Sequence, residues 1–139
     1  MKVAAYLASG IVVLLIVLLA SVVIASESGE VVVLESTDDE GAGLTTRLWV
    51  VDHAGHQWLR AGNPDSTWLA NIRSHGQVML TRGDETRSYR AVPASDAATR
   101  NQINILILQK YSGADEYLQF LMLDRTQSIP VRLEPTDVP

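Results

Sequence analysis

Cysteine is absent from the 139-residue chain. That absence excludes disulfides, thiolate nucleophiles, iron–sulfur clusters and cysteine-based zinc sites, and it leaves the redox compartment undetermined. An excess of positive charge is lacking as well: 11 Lys and Arg stand against 16 Asp and Glu, a formal net charge of −5. Nucleic-acid binding leans on basic side chains that neutralise phosphates, so this balance argues against it. The chain also has no Gly-x-Ser-x-Gly elbow and no phosphate-binding P-loop, which removes the common signatures of serine hydrolysis and nucleotide hydrolysis. No internal repeat or low-complexity tract is present.

Charge is missing altogether between Val3 and Ala25, where only Tyr6, Ser9, Gly10 and Ser21 interrupt an apolar run. About 20 such residues, rising ~1.5 Å each, cross a hydrocarbon core of ~30 Å. The run reads as one N-terminal transmembrane helix, an anchor over residues 1–26, followed by a domain over residues 27–139. A signal peptide cleaved after Ala25 is the competing reading. The length of the run and the single Lys2 in front of it favour the anchor, because a signal's apolar stretch is ~7–15 residues behind a clearly basic leader. Lys2 against Glu27 and Glu30 favours a cytoplasmic N-terminus, although the side on which the domain lies rests on that one lysine.

What remains, about 110 residues, suits one small domain. Val31–Leu34 is an apolar run too short for helical periodicity, so it reads as a first strand. Arg47–Val51 and Gln57–Gly62 flank the polar connection Asp52-His53-Ala54-Gly55-His56, the pattern of a β-hairpin. Asn63–Thr67 is turn chemistry, and Trp68, Leu69 and Ile72 open a short amphipathic helix that Asp65 or Ser66 can cap. Gln77–Leu80 and Thr86–Val92 read as strands on either side of the turn Arg82-Gly83-Asp84-Glu85. Asp96 begins a helix whose Ile103, Leu106, Ile107 and Lys110 follow i, i+3, i+4 spacing up to Ser112-Gly113. A further helix is expected over Ala114–Leu123, with Tyr117, Leu118, Leu121 and Met122 as its apolar face. Ser128–Pro135 is a last strand, and residues 136–139 a frayed tail.

This order of hairpin, Arg60-Ala61-Gly62, Pro64-containing loop, Trp68-led helix and return strand resembles the split β-barrel flavin and deazaflavin oxidoreductases. Within them it is most similar to the deazaflavin (F420)-dependent nitroreductase and quinone reductase family, relatives of the pyridoxamine phosphate oxidases. The resemblance runs from about Val31 to Pro135. It implies a mainly β (α+β) fold: a split β-barrel of six or seven strands with two or three helices. It also implies hydride transfer between coenzyme F420 or FMN and a small planar acceptor such as a quinone. In that chemistry the ring carries the reaction, and the protein orients it in a dry pocket with no catalytic side chain required. The resemblance implies homodimerisation, with the cofactor near the subunit interface. One departure is plain. Where the family's turn is commonly basic and Gly-rich, with an Arg shortly before the next strand, this chain has Asp38-Asp39-Glu40 and Leu44. That departure leads to the alternative of a membrane-tethered, non-catalytic binding module on the same barrel.

Arg60, Asn63, Ser66 and Trp68 gather at the second hairpin strand and the following helix N-terminus, where donors can cradle a phosphate or a ring edge. The plain alternative is a capped helix with Trp68 as a core anchor and Arg60 on a solvated rim. The resemblance places Ala61 and Gly62 near the ring and makes Arg47, Arg60, Ala61, Gly62, Asn63, Ser66, Thr67 and Trp68 the expected cofactor contacts. Arg47 opens the hairpin whose far end carries Arg60, so the two are expected to converge on one mouth of the barrel. His53 and His56, three apart with only Asp52 nearby, fall short of the three or four ligands of a metal site. His75 reads as a helix C-terminal residue, favourable at the negative end of the dipole. If Val3–Ala25 is a retained anchor, the protein will fractionate with membranes and withstand alkaline carbonate washing. Recovery of a soluble product beginning near Ser26 would identify a cleaved signal instead.

Overall fold

The computed structural model describes residues 1–26, 29–121 and 125–136. Its elements are helix α1 (Lys2–Ser26), strands β1 (Val31–Thr37), β2 (Gly43–His53) and β3 (His56–Ala61), helix α2 (Thr67–Ser74), strands β4 (Gln77–Arg82) and β5 (Glu85–Pro93), helix α3 (Ala97–Leu121), and strand β6 (Ile129–Pro135). The six strands close an antiparallel barrel in the order β1-β2-β3-β6-β5-β4. Its closing seam is the ladder of β1 with β4, from Val33↔Thr81 to Glu35↔Met79.

Alternation along the strands creates two apolar layers. Val32, Leu34, Val50, Leu59, Val78, Leu80, Val131 and Leu133 point inward and are fully or nearly fully buried. Trp68, Leu69 and Ile72 of α2 join the same cluster, so this short helix plugs one end of the barrel. The opposite faces of β2 and β3 carry Val51 and Trp58, which pack under Ile103, Ile107 and Tyr111 of α3. Trp49 and Tyr111 stack there with ring centroids 4.3 Å apart. Burying such side chains stabilises by ~1.5–3 kcal/mol each, which explains why α3 lies along this face.

The turns follow from local chemistry. Ala54 and Gly55 both have positive φ, at 52° and 80°, in the two-residue connection of β2 to β3; this is the form that matches strand twist. Asp96 accepts hydrogen bonds from the Thr99 backbone N–H and hydroxyl and so caps α3. Within α3, Ser112 (φ 45°, ψ −119°) breaks the helix, so the expected boundary at Ser112-Gly113 appears as a kink between two helical runs. Other expectations need adjusting. Strand β1 continues to Thr37, because its full length pairs with β2. Ser66 occupies the N-cap position of α2 without a side-chain cap bond, since its hydroxyl donates instead to the Asn63 carbonyl at 2.6 Å. Met122 and Leu123, the side chains of Tyr117, Leu118 and Leu121, and residues 137–139 lie outside the described residues.

Helix α1 is long and apolar enough to cross a membrane over Lys2–Ile24. Almost all of it is exposed, including Leu14, Leu15, Ile16 and Leu19. Four residues beyond Ser26, Glu30 accepts hydrogen bonds from the Arg82 guanidinium (3.0 Å at both Nε and Nη2) and from Lys110 Nζ (2.6 Å). These bonds, with Arg82 first, hold its carboxyl down at about 2, below the ordinary 4.5. A lowered carboxyl contributes stability that is present above its unfolded value and lost as pH falls through the folded one. Because both partners are partly exposed, the contribution is about 1 kcal/mol after solvent screening. Wild type should therefore lose this increment between about pH 4.5 and 2. Thermal unfolding of Glu30→Gln across that range should show it missing at neutral pH and the acid limb correspondingly flatter.

Candidate functional site

The loop after β3 is built by its own polar groups. Asn63 Oδ1 accepts from the Asp65 backbone N–H at 2.9 Å, and the Asn63 carbonyl accepts from both the N–H and the hydroxyl of Ser66. Ala61 and Trp68 are buried in the barrel core, Gly62 and Ser66 are half-buried, and Asn63 and Thr67 are exposed. Trp68 therefore anchors the core. Asn63 Oδ1 and the Ser66 hydroxyl proton are engaged in the turn.

Arg60 is the largest departure from expectation. Strand alternation puts it on the same outer face as Trp58, beneath α3, and its side chain is 7 % exposed. Its Nη2 donates to Asp115 Oδ1 at 2.6 Å, and Nη1 donates to Asn104 Oδ1 at 3.3 Å. Asp115 itself is fully buried. Arg47 lies on the same outer face of β2 but is exposed. The two arginines thus do not form a shared grip at a barrel mouth: one is solvent-facing, and the other is locked to an internal carboxylate.

The acidic turn between β1 and β2 is equally self-contained. Asp38 Oδ1 accepts from the backbone N–H groups of Glu40 and Ala42, at 2.9 and 2.8 Å. Beside it a cavity of about 620 Å³ is lined by Ser36, Leu44, His75, Val78 and Met79 among others. Asp39 approaches His75 Nδ1 to 3.7 Å. Buried Ser36 is committed to Asn71, whose amide donates to its hydroxyl at 3.1 Å. A polyanionic cofactor such as FMN or F420 needs donors and positive charge for its tail. Of the residues expected to supply them, Arg60 is paired with Asp115, and Asn63 Oδ1 and the Ser66 hydroxyl bond within the loop, while Arg47 is exposed on β2; the neighbouring turn is acidic.

At the opposite end, around the hairpin tips, charge is gathered and balanced. Arg82 donates to Glu30, to both oxygens of Asp52 at 2.9 Å, and to Gln57 Oε1 at 3.1 Å. These bonds lower the Asp52 carboxyl and raise the Arg82 guanidinium, the Arg82–Asp52 hydrogen bond contributing most to each. Lys110 reaches the Val50 carbonyl, and the Tyr111 hydroxyl donates to the Glu30 carbonyl at 2.6 Å while accepting from the Val50 N–H. Burial pushes the Tyr111 hydroxyl up. Two adjoining pockets, about 290 and 350 Å³, share Asp52, Gln57, Arg87 and Tyr89 as lining. Sequence reasoning passed over Gln57 and Tyr89. The signal was the alternation of β5, which turns Tyr89 and Ala91 inward together. Among the described residues no group of three or more His, Asp or Glu converges as a metal site. His56 Nδ1 instead lies 3.2 Å from the Ala54 carbonyl within its own turn.

No protein-family model matches the chain, and no curated protein sequence does. Solved structures do. A conserved hypothetical protein from Mycobacterium tuberculosis superposes with a TM-score of 0.62 at 16 % identity, covering 78 % of this chain and 74 % of that one. An F420-H2-dependent reductase gives 0.57 at 19 % identity, with 75 % and 93 % covered. A pyridoxamine 5'-phosphate oxidase-like protein from Listeria innocua gives 0.60 at 12 % identity, with 85 % and 93 % covered. Identities this low establish a shared fold. The chain is a six-stranded split barrel of the type found in F420-dependent reductases and pyridoxamine phosphate oxidase-like proteins.

The Arg60–Asp115 pair generates a stability prediction. Removing one partner of a buried pair leaves an uncompensated charge and costs ~3–5 kcal/mol. Arg60→Ala should lower stability in that range by denaturant titration of the full-length protein in detergent, whereas Arg47→Ala, at an exposed position, should cost under about 1 kcal/mol. Equal effects would show that Asp115 does not depend on Arg60.

Proposed function

We propose that the chain is a membrane-tethered split-barrel binding module, in which α1 is the retained anchor and the barrel holds a ligand without a phosphate-bearing redox cofactor. The observation that carries this reading is the commitment of Arg60 to buried Asp115 at 2.6 Å. A guanidinium already neutralised by an internal carboxylate has little left for an external anion, and freeing it exposes the cost of an unpaired buried charge. The acidic, internally bonded Asp38–Glu40 turn adds like charge where a cofactor tail would approach.

A second reading is favoured by the fold itself, shared with a protein described as an F420-H2-dependent reductase. In it the chain is a membrane-anchored oxidoreductase moving hydride between a deazaflavin or flavin and a quinone or similar planar acceptor. Arg47, Arg60, Ala61, Gly62, Asn63, Ser66, Thr67 and Trp68 would then contact the cofactor in a homodimer. The test is the visible absorption spectrum of the detergent-purified full-length protein, followed by titration with FMN and with F420. The module reading expects a colourless protein and no binding of either up to high micromolar concentration. Saturable binding, weakened about tenfold or more by Arg60→Ala while the fold persists, would establish the oxidoreductase reading, that factor being what a hydrogen bond to a charged group supplies.

A further inference from the structure

The seam that closes the barrel is shorter than the strands it joins. Its ladder ends at Glu35↔Met79. Beyond that pair, Ser36 and Thr37 of β1 part from Gln77 and Val78 of β4, β1 staying on β2 and β4 on β5. The cleft between them is the cavity of about 620 Å³ beside the Asp38–Glu40 turn. Because it opens through the sheet, side chains of both faces line it: Ser36, Leu44 and Val78 from the inner face, Glu35, Gln77 and Met79 from the outer one. Its size falls within the ~300–1,000 Å³ of small-molecule sites.

The polar groups of this lining are left to accept. Glu35 makes no hydrogen bond or ion pair among the described residues. An opposite charge directly across a strand would stabilise such a carboxylate, yet Glu35 has Thr45 on one side and Met79 on the other. Arg47, the next outward residue of β2, is not bonded to it. The Gln77 amide nitrogen donates to the Ser88 hydroxyl and, at 3.3 Å, to that of Thr136, which leaves Oε1 as the group it can offer the cleft. Ser36, 1 % exposed, accepts from Asn71 through one lone pair of its hydroxyl and retains the other.

Charge selects among ligands. Among the described residues no lysine or arginine lines the cavity. His75 does, but Asp39 lies 3.7 Å from its Nδ1, so a proton taken up there is already answered by a carboxylate. The C-terminal end of α2, just ahead of His75, adds the negative end of a helix dipole. An anion would be repelled here, and a neutral ligand would leave Glu35 unanswered. Leu44, Val78 and Met79 are apolar walls that a hydrated inorganic ion would leave unused. Resting on the binding-module reading, we propose that this cleft binds a small organic ammonium ion with an apolar body. Its N–H groups donate to the Glu35 carboxylate and Gln77 Oε1, and its body lies on Leu44, Val78 and Met79.

Calorimetric titration of the full-length protein in neutral detergent uses probes that share one body: 2-phenylethylamine, protonated at neutral pH, 2-phenylethanol and 3-phenylpropanoate. The amine should bind saturably and the carboxylate not measurably. The alcohol should bind about tenfold more weakly than the amine, the factor carried by a hydrogen bond to a charged group. That ranking needs no variant. Glu35→Gln keeps the shape of an exposed side chain and removes its charge, so it should weaken the amine about tenfold and change the alcohol less than about twofold. Asp84→Asn removes the same charge from the exposed turn at the other end of β4 and should leave the affinity for the amine unchanged. Binding of no probe, equal binding of all, or preference for the carboxylate would overturn the proposal. So would an affinity for the amine that survives Glu35→Gln or falls equally with Asp84→Asn. Binding of FMN or F420 would instead overturn the module reading, so the two failures are read from different titrations.

Discussion

The Arg82 guanidinium is the joint on which the arrangement of the segment entering β1, the barrel and the covering helix depends. Residing at the end of β4, it bonds Glu30 just ahead of β1, Asp52 near the end of β2 and Gln57 in β3. Lys110 and Tyr111 extend the same network into α3 through Glu30 and Val50. Its energetic contribution is modest, because ion pairs this open to solvent are screened. Its geometric contribution is larger. A planar fork that engages two carboxylates and an amide at once admits few relative positions of the elements carrying them. The closing β1–β4 ladder is short, and this network lies close to its Val33↔Thr81 end.

A second constraint is competition for the outer face of β2 and β3. Val51 and Trp58, with Trp49 alongside, make that face apolar, and α3 covers it. Once covered, the part of the face beneath the helix becomes internal, and Arg60 lies there, two residues from Trp58. A guanidinium brought under a helix must find a carboxylate, since an isolated charge there would cost several kcal/mol. The fate of Arg60 is thus decided by its apolar neighbours rather than by its own affinity for anions.

The sequence made the elements legible where short-range chemistry determines them. The Asp52–His56 hairpin, the Trp68-led helix, the break at Ser112-Gly113 and the closing strand are all written in turn residues and periodicity. Interior and exterior were also readable from alternation, which assigns Leu59 and Ala61 inward and Trp58 and Arg60 outward. What alternation cannot give is the identity of the layer covering an outward face. The partner of Arg60 lies 55 residues away in the chain, and no local pattern announces it. Tyr89 was missed for the related reason that its polarity is set by Gln57, 32 residues earlier, through a bond that exists only in the closed barrel.

The Arg60–Asp115 pair also bears on why the helix returns as it does. Apolar side chains of similar volume would often stabilise such a position as well or better than a buried ion pair. An apolar contact, however, tolerates sliding and rotation, whereas a 2.6 Å charged hydrogen bond does not. Asp115 lies three residues beyond Ser112, whose positive φ of 45° redirects the chain. At that point a helix leaving a kink has several low-energy directions. Pairing with Arg60, itself fixed on β3 by the ladder to β6 at Arg60↔Pro130, selects one direction. Asn104, which accepts from Arg60 and from the Ser128 hydroxyl, ties the same point to the approach of β6. The ion pair therefore acts as a register mark between the first run of α3, its continuation and the strand that completes the barrel. That structural duty follows from its position and does not require Arg60 to touch any ligand.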